Sequence, residues 1–121
     1  MPLKPGDIVI ANIPDPNGDP IDHCHPAMVL RANAQIAYLV AISTKFSRPT
    51  PKHWLELPLN ANTNLREPCV LKCHWVTTPI DVARCNKIGE VPTDILDLAT
   101  DWVLALVEQK KAANQPPSGA S

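Results

Sequence analysis

The stretch that decides the fold is Pro5-Gly6-Asp7-Ile8-Val9-Ile10-Ala11, followed after a polar loop by His25-Pro26-Ala27-Met28-Val29-Leu30. Gly6-Asp7 supplies a turn, and the β-branched residues after it are typical of a strand. Pro26 has no N–H for a sheet ladder, so it must begin a strand or lie at a sheet edge. The two segments therefore predict two strands joined by a long loop.

The rest of the chain alternates short apolar runs with turn-forming residues, which indicates further strands. The chain contains 14 prolines and only 4 glycines. This excess argues against a helical bundle, because proline inside a helix costs ~3 kcal/mol. The predicted strands are Gly6–Asn12, His25–Arg31, Ala37–Ile42, His53–Leu57, Cys69–Thr77 and Asn86–Glu90, with a turn or single helical turn at Pro79–Arg84.

A helix is predicted near the C-terminus, from about Asp94 to Lys110. Thr93 can cap it, and Asp94 complements the positive helix end. Apolar residues follow at helical spacing: Ile95, Leu98, Trp102, Ala105 and Leu106. Further apolar residues widen this stripe, so we expect the barrel to cover one side and a partner subunit the other. Residues 1–111 are thus predicted to form one domain, and residues 112–121 a disordered tail.

Composition narrows the class of protein. The chain has 121 residues, 45% of them apolar, and a formal charge of −1. A nucleic-acid partner would therefore need a local basic patch. The chain contains neither a signal-like apolar run nor a stretch long enough to span a membrane, so we expect a cytoplasmic protein without a membrane partner. Four cysteines are too few for a disulfide scaffold, and we expect free thiols.

The order of Gly-Asp, apolar strand, long loop and X-Pro strand resembles the opening of the MazF/PemK family. The resemblance extends over residues from about 4 to 110. It includes three further segments: Val40-Ala41-Ile42-Ser43-Thr44, Val70-Leu71-Lys72-Cys73 and Lys87-Ile88-Gly89-Glu90-Val91. It implies a mainly β, α+β fold: a small SH3-like barrel of the MazF/PemK/CcdB kind with a C-terminal helix.

The resemblance also implies a function. Such proteins are the toxins of bacterial toxin–antitoxin pairs, and most are small homodimeric endoribonucleases. We therefore expect a homodimer that cleaves single-stranded RNA without a metal or other cofactor. The implied protein partner is a small antitoxin with an acidic, flexible tail.

Three residues are candidates for catalysis. The family usually has Arg before the proline, where this chain has His25. Imidazole can accept and donate protons near neutrality, as RNA cleavage requires. The family carries a catalytic Thr after an Ile, which corresponds to Ser43 or, one residue later, Thr44; a hydroxyl there could hold a phosphate oxygen. The alternatives are an ordinary strand-edge histidine and an ordinary polar loop.

The loop after residue 44 is basic, and this observation does not depend on the family. Its predicted RNA-binding residues have no acidic residue between them: Lys45, Arg48, Lys52, His53 and Trp54. The cationic side chains could contact phosphates, while Phe46 and Trp54 could stack on bases. The alternative is a solvated basic loop.

A metal site is not expected. His23-Cys24-His25 and Cys69-x-x-x-Cys73-His74 contain ligand-type residues, but residues four apart on a strand lie about 13 Å apart. Two further positions depart from the family, which often has Gln and then Arg where this chain has Trp75 and Thr77. The lost arginines leave two other functions open: inhibition of DNA gyrase by binding, and binding of an antitoxin-like partner without chemistry.

Overall fold

The computed structural model describes residues 3–14, 24–44, 49–51, 53–77 and 79–114, with side chains through residue 109. Within these ranges the chain forms seven strands, one 3₁₀ turn and one helix. They are β1 (Asp7–Ala11), β2 (His25–Ala32), β3 (Ile36–Ser43), β4 (Trp54–Leu57), β5 (Cys69–Val76), β6 (Ile80–Asp81), the turn Val82–Arg84, β7 (Asn86–Glu90) and α1 (Thr93–Asn114). The predicted order of strands followed by one helix is confirmed.

The strands form one curled antiparallel sheet in the order β4-β5-β3-β2-β1-β7, and β6 pairs with β3. The sheet is a half-barrel with α1 packed on it, which confirms the expected mainly β fold. Register shifts interrupt three of its ladders, including β1 with β7 and β2 with β3. Such irregularities bend and twist strands, which helps the sheet to curl.

The largest irregularity lies between β3 and β5. Val40 pairs with Val76, and Ile42 pairs with Leu71. A step of two residues along β3 therefore corresponds to a step of five residues along β5. The extra residues change the face toward which β5 points. Cys73 packs in the core beneath α1, whereas Trp75 packs against the opposite face of the sheet.

The sheet is buried on both faces. Val40 and Ile42 belong to the core that faces α1, and Leu39 and Ala41 belong to the core on the other face, which confirms the alternation predicted for this strand. Segments outside the central strands cover the second core, including Leu3, Ile13, Ile80 and Val82.

The helix begins one residue earlier than predicted. Thr93 is its first residue rather than its cap, and Leu96 N donates to Pro92 O at 3.0 Å. Two residues of the predicted apolar stripe are exposed: Leu98, at 47%, and Ala105. The residues that pack inward are Ile95, Leu96, Ala99, Trp102, Val103 and Leu106. Leu98 precedes Ala99 by one position, and one residue of a helix turns the side chain by about 100°.

The helix also continues to Asn114, so residues 112–114 are helical although they were expected in a disordered tail; residues 115–121 lie outside the described residues. All four cysteines are free, as predicted. Within the described part of the chain, no helix is both long and apolar enough to cross a membrane.

Candidate functional site

His25 and Ser43 lie at the same end of two neighbouring strands. Ala27 pairs with Ala41 near this end of the β2–β3 ladder. His25 and Ser43 each lie two residues beyond that pair, toward the end of the ladder. Alternate residues of a strand share a face. Both side chains are therefore on the sheet face opposite α1, together with Ala27 and Ala41.

Aromatic packing holds the half-buried ring of His25. Its centroid lies 5.5 Å from that of Trp75, with the planes tilted by 56°. Trp75 is held in turn, because its Nε1–H donates to Pro14 O at 3.0 Å. His25 Nδ1 lies 3.4 Å from Pro26 O, a long contact that is a hydrogen bond only in the tautomer with its proton on Nδ1, because a carbonyl only accepts. In that tautomer Nε2 carries the lone pair that can act as a base.

The two candidate hydroxyls differ in position. Ser43 ends β3 and is buried, whereas Thr44 follows the strand and is exposed. Ser43 pairs with Val70, and Val70 pairs in turn with Glu56 on β4. Directly opposed residues share a face, so the carboxyl group of Glu56 lies on the Ser43 face, two strands or about 10 Å away. Glu56 is a polar group of this face that the sequence analysis missed.

Four side chains form an aromatic and cationic cluster on β4 and β5, which we call the Trp54–His74 platform: Trp54, His74, His53 and Lys72. The Trp54 and His74 rings stack with centroids 5.9 Å apart and planes within 18°. Trp54 Nε1–H donates to His74 Nδ1 at 3.0 Å. His53 stands perpendicular to both rings, at 5.1 Å from His74 and 6.4 Å from Trp54. Lys72 Nζ lies 4.3 Å from the centre of the Trp54 ring.

Two members of the platform, Trp54 and Lys72, share the sheet face of Ser43 and Glu56. Leu55, Leu57 and Leu71 point to the core beneath α1, so the residues that alternate with them on these ladders point away from the helix. Trp54 pairs directly with Lys72 on that face. His74 lies in the irregular part of β5 beyond this ladder, where it stacks on Trp54 and also lines the groove between β5 and α1. The sheet thus carries proton-transfer groups at one point of the face and a stacking surface at another.

Electrostatics favour a neutral His74. The pKa of His74 is lowered chiefly by burial of its ring, then by the neighbouring His53 and Lys72. The side chain as a whole is exposed, but its ring is partly desolvated where it stacks on Trp54. Burial also lowers the pKa of Lys72. A neutral His74 accepts the Trp54 N–H at Nδ1 and keeps its own proton on Nε2.

The two departures from the family pattern, Trp75 in β5 and Thr77 directly after it, have structural roles here. Thr77 is buried and exchanges two hydrogen bonds with Leu39. Leu39 N donates to Thr77 Oγ1 at 3.2 Å, and Thr77 N donates to Leu39 O at 2.8 Å. Trp75 braces His25, as described above. An arginine at residue 77 would have to bury its charge at this position, which is costly.

The structure brings some predicted site residues together and leaves others undescribed. His25 and Ser43 share a face, and His53 and Trp54 belong to the platform. Lys45, Arg48 and Lys52 lie outside the described residues. Lys72 and His74 were missed as binding residues. The spacing of two residues between Lys72 and His74 on one strand was a signal. The pairing of Trp54 with Lys72, however, depends on the register between β4 and β5. The eleven-residue connection between these strands, residues 58–68, does not specify that register.

The metal-ligand types in β5 do not converge. Cys69 and Cys73 are buried in the core beneath α1, whereas His74 is exposed. Among the described residues there is no group of three or more His, Cys, Asp or Glu side chains that could hold a metal ion.

One known protein family matches this chain. The family model described as "PemK-like, MazF-like toxin of type II toxin-antitoxin system" matches residues 4–107, which is most of the chain. No curated protein gives a significant sequence match.

Proposed function

The chain belongs to the PemK-like, MazF-like toxin family of type II toxin–antitoxin systems, and we propose that it is an endoribonuclease that cleaves single-stranded RNA without a metal ion. Family membership implies an antitoxin as its protein partner. The observation that carries the proposal is the placement of His25 and Ser43 on one sheet face, at the adjacent ends of β2 and β3.

In the proposed reaction, Nε2 of His25 removes the proton from a ribose 2′-hydroxyl. The 2′-oxygen then attacks the neighbouring phosphorus, and the bond from phosphorus to the 5′-oxygen breaks. The hydroxyl of Ser43 or Thr44 donates a hydrogen bond to a phosphate oxygen and stabilises its developing charge. The leaving 5′-oxygen takes up a proton from water, and His25 returns its proton to the solvent, so the products are a 2′,3′-cyclic phosphate and a 5′-hydroxyl.

The proposed RNA-binding residues are Lys45, Arg48, Lys52, His53 and Trp54. Phosphate contacts from the cations would supply much of the affinity, and the aromatic rings would stack on bases. His53 and Trp54 adjoin the face that carries Ser43, which supports a continuous path for one strand.

We also propose a homodimer. Leu104 and Val107 leave apolar surface exposed on one side of α1, each at 43% or more. A second copy of the chain would remove this surface from water.

Incubation of the purified chain with a long single-stranded RNA in EDTA tests the enzyme proposal. We expect cleavage that leaves 5′-hydroxyl ends. His25→Ala should be slower by about 100-fold or more, because a general base contributes 10²–10⁴. Ser43→Ala and Thr44→Ala, made separately, distinguish the two hydroxyls, and Tyr38→Ala on the exposed part of β3 is the control. Intact RNA at high protein concentration would overturn the proposal.

One observation favours a second function, inhibition by binding alone. The chain uses His25 and Thr77 where the family often has arginines, and Thr77 is committed to backbone hydrogen bonds. A toxin of this kind would bind DNA gyrase and stabilise its cleaved DNA complex without degrading RNA. A member that only binds an antitoxin would cause no growth defect when expressed alone, and a short acidic reading frame upstream would support a toxin–antitoxin pair.

A further inference from the structure

We propose that the Trp54–His74 platform is a subsite for one unpaired nucleobase of a single-stranded nucleic acid, with Lys72 contacting the phosphate beside that base. The inference rests on the proposed function in one respect, which is that RNA is the ligand. It adds two residues, Lys72 and His74, and a mode of binding that requires an exposed base.

Contacts within the protein fix the two stacked rings of the platform relative to each other. The Trp54 and His74 rings are nearly parallel, and the 3.0 Å hydrogen bond between them fixes their relative orientation. Their two strands are joined by ladder pairs from Trp54 with Lys72 to Leu57 with Cys69. Rings held in this way lose little conformational entropy when a base stacks on them.

The exposed side of the stack is His74. Trp54 is half-buried, whereas His74 is exposed. A base therefore extends the stack by packing on the imidazole, and histidine is among the side chains on which unpaired bases stack. Because His74 Nδ1 is occupied by Trp54, its Nε2–H remains to donate to a base edge or a phosphate oxygen.

Lys72 supplies the charge. Its ammonium lies over the Trp54 ring at 4.3 Å, a cation–π contact. Among the described residues, no carboxylate forms an ion pair with Lys72. Partial burial lowers the pKa of Lys72 by disfavouring its charged form. A phosphate bound beside the ammonium would stabilise that charge. In contrast, Lys4 is paired with Glu90 at 3.1 Å, which makes it a matched control.

An acidic peptide is the competing ligand for a cationic surface. The stacked pair favours a nucleobase, because most of the platform is a flat aromatic surface. Lys72 is the one lysine among its four side chains. A peptide carboxylate would use Lys72 but would leave the ring stack without a role.

Binding of a fluorescein-labelled, 2′-O-methyl RNA 12-mer to the full chain tests the subsite without cleavage, because this probe has no 2′-hydroxyl to attack. Trp54→Ala and His74→Ala should each weaken binding about tenfold, the usual range for loss of one stacked base. Trp54→Phe should retain part of the affinity. Lys72→Gln should reduce the slope of log K against log salt by about 0.7, whereas Lys4→Gln and Tyr38→Ala should change neither quantity.

The matched duplex of the same sequence should bind more weakly than the single strand, because its bases are paired. Circular dichroism and thermal unfolding check that each variant folds. Wild-type affinity in folded Trp54→Ala and His74→Ala, equal binding of the duplex, or binding of polyglutamate but not of the oligonucleotide would each overturn the subsite. Binding by this mode without cleavage of ordinary RNA would overturn the enzyme proposal alone.

Discussion

The indole Nε1–H of Trp54 donates a 3.0 Å hydrogen bond to Nδ1 of His74, across the β4–β5 ladder. The bond requires an unprotonated Nδ1, so it stabilises the neutral imidazole. Protonation of His74 would break the bond and place a second positive charge beside Lys72. The stacked geometry of the platform is therefore linked to the protonation state of one histidine.

This linkage predicts a measurable titration. We expect the pKa of His74, followed by NMR of its ring protons, to lie below 6.5 because of ring burial and the nearby His53 and Lys72. His53→Gln and Lys72→Gln should each raise this pKa by removing a positive neighbour. Lys4→Gln is the control and should leave it unchanged. A midpoint at or above 6.5 in the wild-type chain would contradict the assignment.

The same shift predicts how stability depends on pH. The folded pKa of His74 is lowered, so the unfolded chain binds this proton first as the pH falls below about 6.5. The free energy of unfolding should therefore decrease between pH 7.5 and the folded pKa. Urea denaturation at several pH values should show a smaller decrease for His74→Gln than for the wild type. An equal decrease in both would show that other groups cause the effect.

Thr77 offers a test of a buried hydrogen bond. Thr77→Val keeps the shape of the side chain but removes the oxygen that accepts from Leu39 N. Because that N–H is left in a buried strand without its partner, we expect a loss of about 1–3 kcal/mol in the free energy of unfolding. Thr77→Ser, which keeps the hydroxyl, is the matched control. Chemical denaturation measures both, and equal stability of Val and Ser variants would argue against the role of the bond.

Gly89 lies against the backbone of the loop before β5. A Cβ at Gly89 would meet Thr63 O at 2.3 Å and Thr63 C at 2.6 Å, and Glu90 N donates to Asn62 O at 2.7 Å beside it. Since backbone atoms cannot rotate away, Gly89→Ala should cost about 1–3 kcal/mol in thermal or urea unfolding. The exposed substitution Ala83→Ser should stay within about 0.5 kcal/mol of wild type. A wild-type midpoint for Gly89→Ala would mean that this loop moves freely.

The cysteines should differ in reactivity. Burial raises the pKa of Cys73 to about 11, and its side chain is 1% exposed, whereas Cys24 is exposed. At pH 8 the Cys73 thiol is almost entirely protonated, and the thiolate is the reactive form. Iodoacetamide should label Cys24 long before Cys73 in the folded chain, as measured by peptide mass spectrometry, while both react in urea. Equally fast labelling without denaturant would contradict the burial of Cys73.

Much of the fold could be predicted because its signals are local. Alternation in residues 37–42 assigned Leu39 and Ala41 to one face and Val40 and Ile42 to the other, as observed. The strand Asn86–Glu90 was predicted with the bounds that the structure has. The helix was predicted within one residue at its start. The sequence did not say which part of its apolar stripe packs on the sheet, because the stripe is too wide for spacing alone to define its centre.

The candidate site was predicted only in part. His25, Ser43, His53 and Trp54 were named from the sequence. The structure adds Glu56 and Lys72 to the sheet face of Ser43 and Trp54, and it stacks His74 on Trp54. Thr77 was noted as a missing arginine, but its hydrogen bonds to Leu39 could not be foreseen, because those residues are 38 positions apart. Lys45, Arg48 and Lys52 remain predictions from the sequence.

The sequence by itself determined where strands, turns and the helix form, because side-chain alternation, proline and β-branched residues act over a few neighbouring residues. Only the tertiary structure decided which side chains meet. The bulge that turns Trp75 toward His25, and the register that sets Trp54 opposite Lys72, depend on pairing between distant strands. That pairing is selected by the packing of both sheet faces at once, and no short stretch of the chain contains this information.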